Sequence, residues 1–170
     1  MRFFVSLFVL LLAANATKAQ SFQDFYNGLP ELTTPYNFNN DQHTSYATQS
    51  LPANLQNQHD DYSSFSAVGR IDLETDYFYI LIKRTSPEDG TDVYILFSID
   101  ENESIKSSLV VGVENAEGKG TDFKIESDKT LRVAYYGDEI ITIMDYTYAD
   151  GLLSSNPVTQ TVDPEQIANL

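Results

Sequence analysis

From Ser64 onward, apolar residues recur at every second position and turn signals arrive about every ten residues. A chain patterned this way offers one face of a strand to a core, not one stripe of a helix, so the period predicts an all-β fold. Phe65, Ala67, Gly69, Ile71 and Leu73 alternate with mostly polar neighbours, which gives the first strand one dry face. Residues 77–82 and 93–97 are apolar without alternation. Both faces of those two strands must be covered, which places them centrally. Pro87-Glu88-Asp89-Gly90 between them predicts a hairpin, because Pro presets the turn and Gly accepts positive φ.

Residues 105–113 alternate again, with Ile105, Ser107, Leu109, Val111 and Val113 on one side, and Glu117-Gly118-Lys119-Gly120 closes that strand. Phe123 and Ile125 are expected to point inward, and Ser127-Asp128-Lys129 turns the chain into Leu131, Val133 and Tyr135. Gly137-Asp138 is a hairpin signal, 140–148 is the next strand, and Asp150-Gly151 turns it. A last strand is expected within 152–162, where Pro157 cannot donate to a ladder and so marks an edge or a break. Asp163-Pro164-Glu165-Gln166 predicts a short terminal helix or a frayed tail. The sum is an antiparallel meander of about eight strands over 64–170, closing as a small barrel or a two-layer sandwich. Alternatively, 65–113 and 121–162 are two four-strand units of propeller-blade size, which would require an open sheet pair or assembly of several chains.

The N-terminal third has a different character. Met1 and Arg2, an apolar run over 3–12 and small residues up to Ala19 predict a signal peptide over 1–19, cleaved after Ala19. A run of about ten apolar residues is half of what a spanning helix needs. The mature chain is therefore expected to be soluble, not membrane-inserted, and exported to a periplasmic or extracellular space. Residues 20–63 form a polar leader without Lys or Arg that nevertheless carries Phe22, Phe25, Tyr26, Tyr36, Phe38, Tyr46 and Tyr62. Phe22, Phe25, Tyr26 and Leu29 fall on one helical face, with Ser21 as N-cap and Asn27-Gly28 as stop. Pro30 and Pro35 then impose extended chain. The aromatic stretch over 22–38 is expected to strap onto the β-domain; the competing reading is a docking peptide for another protein. Residues 39–60 are poorest in apolar content and read as a mobile loop or linker.

Leu29-Pro30-Glu31-Leu32, then Pro35-Tyr36-Asn37-Phe38, then the Tyr-rich strand pair around Asp89-Gly90, resembles uncharacterised exported bacterial β-proteins that begin with an aromatic "LP…PY" strap. The resemblance implies an exported all-β protein with a strap, and it carries no catalytic residue onto this chain.

Charge and chemistry narrow the function classes. Lys plus Arg number 10 against 25 Asp plus Glu, a net −15 that becomes −17 once Arg2 and Lys18 leave with the signal. Nucleic acid is disfavoured as a partner, since its affinity rests on cations neutralising phosphates. Cys is absent, which removes disulfides, thiolate catalysis and Cys-ligated metals. The two histidines, His43 and His59, sit in the leader and predict no metal site. No G-x-S-x-G or P-loop is present, and Gly118-Lys119-Gly120 is too short to cradle phosphate. Asp100-Glu101-Asn102-Glu103-Ser104 imitates a calcium loop but has Ile105 where Gly is needed and Val111 where a bidentate Glu is needed, so a solvated turn is expected. Asn102-Glu103-Ser104 is also a glycosylation sequon. No catalytic residue and no cofactor is predicted.

The surplus is tyrosine, eleven in all without one Trp. Strand preference accounts for most of them. Tyr135 and Tyr136 must point to opposite faces, while Tyr146 and Tyr148 share one, so Tyr136, Tyr146 and Tyr148 are the candidate binding residues if they cluster in the open. The leading expectation is a non-catalytic exported domain that recognises a protein or a glycan through an aromatic sheet face. A structural subunit of a surface or periplasmic assembly is the second reading, and a hydrolase of an extracellular polymer using paired carboxylates is the third.

Overall fold

A computed structural model describes residues 21–38, 47–58, 62, 64–115, 118–137, 140–149, 151–153, 156 and 158–162. The expected signal peptide, both histidines and the expected helix after Asp163 lie outside the described residues. The elements are α1 (Phe22–Gly28), β1 (Tyr36–Asn37), β2 (Gln49–Ser50), α2 (Ala53–Gln56), β3 (Ser66–Ile71), β4 (Phe78–Thr85) and β5 (Asp92–Ile99). Then come β6 (Ile105–Asn115), β7 (Gly118–Ile125), β8 (Leu131–Tyr136), β9 (Ile141–Tyr146), β10 (Tyr148–Ala149), β11 (Leu152–Leu153) and β12 (Val158–Val162).

The fold is an all-β antiparallel meander with a short N-terminal helix. One sheet runs β12-β9-β8-β7-β6-β5-β4-β3-β2, with β1 paired to β7 off this path. The sheet is open and does not close into a barrel. β10 and β11 form a separate hairpin about Gly151, whose φ of 75° takes the turn where the sequence pattern puts it. β12 then returns antiparallel along β9 and ends the sheet, the edge position that the adjacent proline indicates.

The sheet curls because β6 and β7 part company. They pair only from Val113 with Thr121 to Asn115 with Gly118. Below that tip the free side of β7 is taken by the leader, Tyr36 opposite Ile125 and Asn37 opposite Lys124. The two halves of the sheet therefore share one inner core, in which Tyr79, Leu81, Tyr94 and Leu96 meet Phe123, Ile125, Leu131, Val133 and Tyr146, with Leu32, Tyr36 and Phe38 of the leader among them. Phe38 is fully buried, its ring 4.7 Å from Tyr94 and 5.0 Å from Phe123.

A second core lies on the opposite face of β3, β4 and β5. Ile80, Ile82, Phe97 and Ile99 are roofed there by Phe22, Phe25, Tyr26 and Leu29 from α1 and by Leu51 and Leu55. The Ser21 hydroxyl caps α1 by accepting from the Asp24 amide at 3.1 Å. Tyr79, Ile80, Leu81 and Ile82 are consecutive and all fully buried, as a two-sided strand requires.

Two expectations need correction. Within 39–60, the described part is structured: β2 pairs with β3, and Leu51 just before α2 and Leu55 on it are buried although the segment is polar overall. Two well-spaced leucines suffice where average composition suggests none. Ile105 also departs from the face of Leu109 and Val111. A register irregularity after Ser98, where Ser98 opposes Ser107 but Ile99 opposes Ile105, moves Ile105 to the second core.

Gly69 fixes the strap. A Cβ there would stand 2.8 Å from Leu32 Cγ and 2.9 Å from the Pro30 carbonyl oxygen, and that backbone is itself bonded to Arg70 on both sides. Gly69→Ala is expected to cost about 1–3 kcal/mol, lowering the melting midpoint by about 2–4 °C per kcal/mol and opening 22–38 to protease. Gly28→Ala, with nothing within 4 Å of its added Cβ, serves as the unperturbed control.

Candidate functional site

Opposed strand residues share a face, so the ladders of β7, β8, β9 and β12 define three rows on the outer side of this half of the sheet. One row is Lys124, Arg132, Asp145 and Val158; the next is Asp122, Ala134, Ile143 and Gln160; the third is Tyr136, Ile141 and Val162. The first row is an ion-pair belt. Arg132 grips Asp145 through two bonds of 2.7 and 2.9 Å and reaches Glu126 at 3.3 Å, while Lys124 lies 3.0 Å from Glu126. Hydrogen bonding to Asp145 holds the guanidinium above its ordinary pKa.

The second row mixes Asp122 and Gln160 with Ala134 and Ile143, and the third is apolar and aromatic; Ile141 and Ile143 are themselves buried. Tyr136 is 37% exposed and the adjacent Ile140 53%. The Tyr136 hydroxyl donates to Asp122 Oδ2 at 3.4 Å, and Asp122, itself buried, accepts the Phe123 amide at 2.7 Å through Oδ1. Partial burial, then the Asp122 charge and its hydrogen bond, push the Tyr136 phenol upward, so the ring stays neutral.

The three tyrosines singled out from the sequence do not form one surface. Tyr146 opposes Leu131 and is buried in the inner core, its hydroxyl 3.4 Å from both the Tyr135 hydroxyl and Met144 Sδ. Tyr148 packs on the same core, edge-on to Tyr79 with ring centroids 5.2 Å apart. These two do share a face, but that face is the interior. Period two assigns residues to one side without saying which side is wet, and β9 carries apolar residues on both: Ile141 and Ile143 on one, Met144 and Tyr146 on the other.

Asp100 is the hub of the β5–β6 turn. Its Oδ1 accepts the amides of Asn102 and Ser104 at 3.0 and 2.8 Å, and Lys106 Nζ stands 2.8 Å from Oδ2. The Lys106 hydrogen bond and these amides hold its carboxyl below the ordinary range. Its oxygens are spent on the turn, and among the described residues no group of three or more metal-ligating side chains occurs.

A groove of about 570 Å3 was not legible in the sequence. It lies between α1, α2 and the β5–β6 turn, with Phe22, Phe25, Leu51 and Pro52 as its apolar wall and Asn54 bonded to Glu103 at its rim. Its walls come from three distant stretches of chain, and no local pattern announces such a meeting.

No protein-family model, curated protein or solved structure matches the chain. The functional reading therefore rests on the geometry of these surfaces.

The interior tyrosines make two checks available. The Tyr148 hydroxyl is buried with no hydrogen-bond partner among the described residues, so Tyr148→Phe is expected to leave the melting midpoint unchanged or raised. Burial drives the phenols of Tyr94, Tyr135 and Tyr148 above the ordinary tyrosine range. A pKa raised in the folded state stabilises fully below the unfolded value of about 10 and is lost as pH climbs above it. Phenolate absorbance of these residues should therefore appear together with loss of circular dichroism in an alkaline titration, not before it.

Proposed function

We propose that this chain is a non-catalytic binding domain of an exported protein, and that it recognises another protein through the outer face around Tyr136. The observation that carries this reading is that Tyr136 is the only exposed tyrosine among the described residues. It is set beside the exposed Ile140 and the buried Ile141, with its hydroxyl anchored on Asp122. A ring held by its polar tip loses little side-chain freedom on binding, which is why tyrosine serves as an interface anchor.

The neighbours favour protein over glycan. A sugar site needs several hydrogen-bonding groups around its aromatic platform, whereas the one carboxylate at this ring, Asp122, is buried and engaged by the ring's own hydroxyl, and the remaining neighbours are isoleucine and alanine. The hydrolase reading gains no support on this face, since Glu126 and Asp145 are both engaged by Arg132.

A photo-crosslinking amino acid placed at position 136 of the exported chain is expected to capture a protein, and the same probe at the exposed Lys106 is expected not to. Tyr136→Ser should leave the melt cooperative and weaken that binding by more than tenfold, the loss of a hot-spot side chain. If a soluble glycan at about 100 times its Kd raises the midpoint by several degrees and Tyr136→Ser abolishes the shift, the glycan reading replaces this one.

A further inference from the structure

The two ends of the sheet are treated differently. At one end β2 is only two residues long, and the strap beside it occupies β3 through Glu31, whose carboxylate holds Arg70 at 2.7 Å. Shortness and a charged pair are common ways of blunting a sheet edge against further pairing. At the other end β12 is five residues long, lies along β9 over its whole length, and is exposed from Val158 to Thr161. It contains no charge, no proline and no glycine. Threonine and valine are strong strand formers, so this edge is a ready template for one more strand.

The sequence of β12 says which strand fits. Val158-Thr159-Gln160-Thr161-Val162 reads the same in both directions. Antiparallel pairing of two copies about Gln160 sets Val158 of one copy opposite Val162 of the other, Thr159 opposite Thr161, and Gln160 opposite Gln160. Every cross-strand pair is then Val with Val, Thr with Thr or Gln with Gln, each of which packs or hydrogen-bonds favourably. Self-complementarity of one patch under a two-fold axis is what an isologous dimer requires.

Charge points the same way. Two copies of a chain carrying −15 repel, so contact is favoured where no unpaired carboxylates meet. β12 has no carboxylate, and the nearest one on β9, Asp145 opposite Val158, is neutralised by the two bonds from Arg132.

We infer that β12 is a dimerisation edge at which a second copy of this chain adds antiparallel about Gln160, joining the two sheets into one. The dimer extends the outer faces across the seam without covering Tyr136, so it is independent of the partner proposed for that face.

Position 160 meets itself in this register and in no shifted one, which makes the test specific. Analytical ultracentrifugation at high micromolar concentration is expected to show a dimer for the unaltered mature chain. Gln160→Lys and Gln160→Glu, each at an exposed site and each retaining strand circular dichroism, are expected to be monomers because like charges face each other across the axis. An equimolar mixture of the two variants is expected to recover the dimer. A monomeric unaltered chain, a dimer that survives both single charges, or a mixture that stays monomeric would each overturn the inference.

Discussion

β4 and β5 must be dry on both sides, and the rest of the architecture answers that demand. Four consecutive fully buried residues, Tyr79 to Ile82, cannot be covered by one layer. Each large apolar side chain left in water would forgo about 1.5–3 kcal/mol. The inner side is covered when the sheet bends where β6 and β7 diverge and lays β7, β8 and β9 back over β4 and β5. The other side is covered instead by α1, Leu51 and Leu55 from the leader. The leader is thus part of the core on both faces: its helix roofs one, and its strap inserts Phe38 into the other.

The outer face of β7, β8, β9 and β12 is what this economy leaves over. Its ion pairs collect in one belt around Arg132, where each carboxylate has a cation, while Asp122, Ile141 and Ile143 are buried and the ring of Tyr136 stays in water beside Ile140. The two serve differently: the belt keeps an acidic chain from repelling itself locally, and the exposed ring is the surface on which the proposed binding role rests.

Much of this was legible in the sequence, and the parts that were not have identifiable reasons. Turns announce themselves through local backbone chemistry, so the hairpins at Gly90 and Gly151 fall where the residues indicate. The face of Phe22, Phe25, Tyr26 and Leu29 was legible because helical spacing and a capping serine agree. The irregularity that turns Ile105 over has no such signature, since one extra residue in a strand looks like any other. α2 was hidden by averaging, because two leucines among polar residues barely move the composition. The candidate site suffered from a deeper ambiguity: alternation relates Tyr146 to Tyr148, but only the curl of the whole sheet decides that their shared side is the inside and that Tyr136 stays in water.

The strap has a consequence for the order of events in the life of the chain. Tyr36 finds its ladder partner in Ile125, and Phe38 its ring contact in Phe123, with most of the β-domain lying between them in sequence. Closure entropy must be spent across that whole span before the inner core is rewarded, which makes the final docking slow and late. Until β7 is in place the inner core lacks one wall, so Tyr36 and Phe38 can join the compact state only once the strand that carries Phe123 and Ile125 has formed.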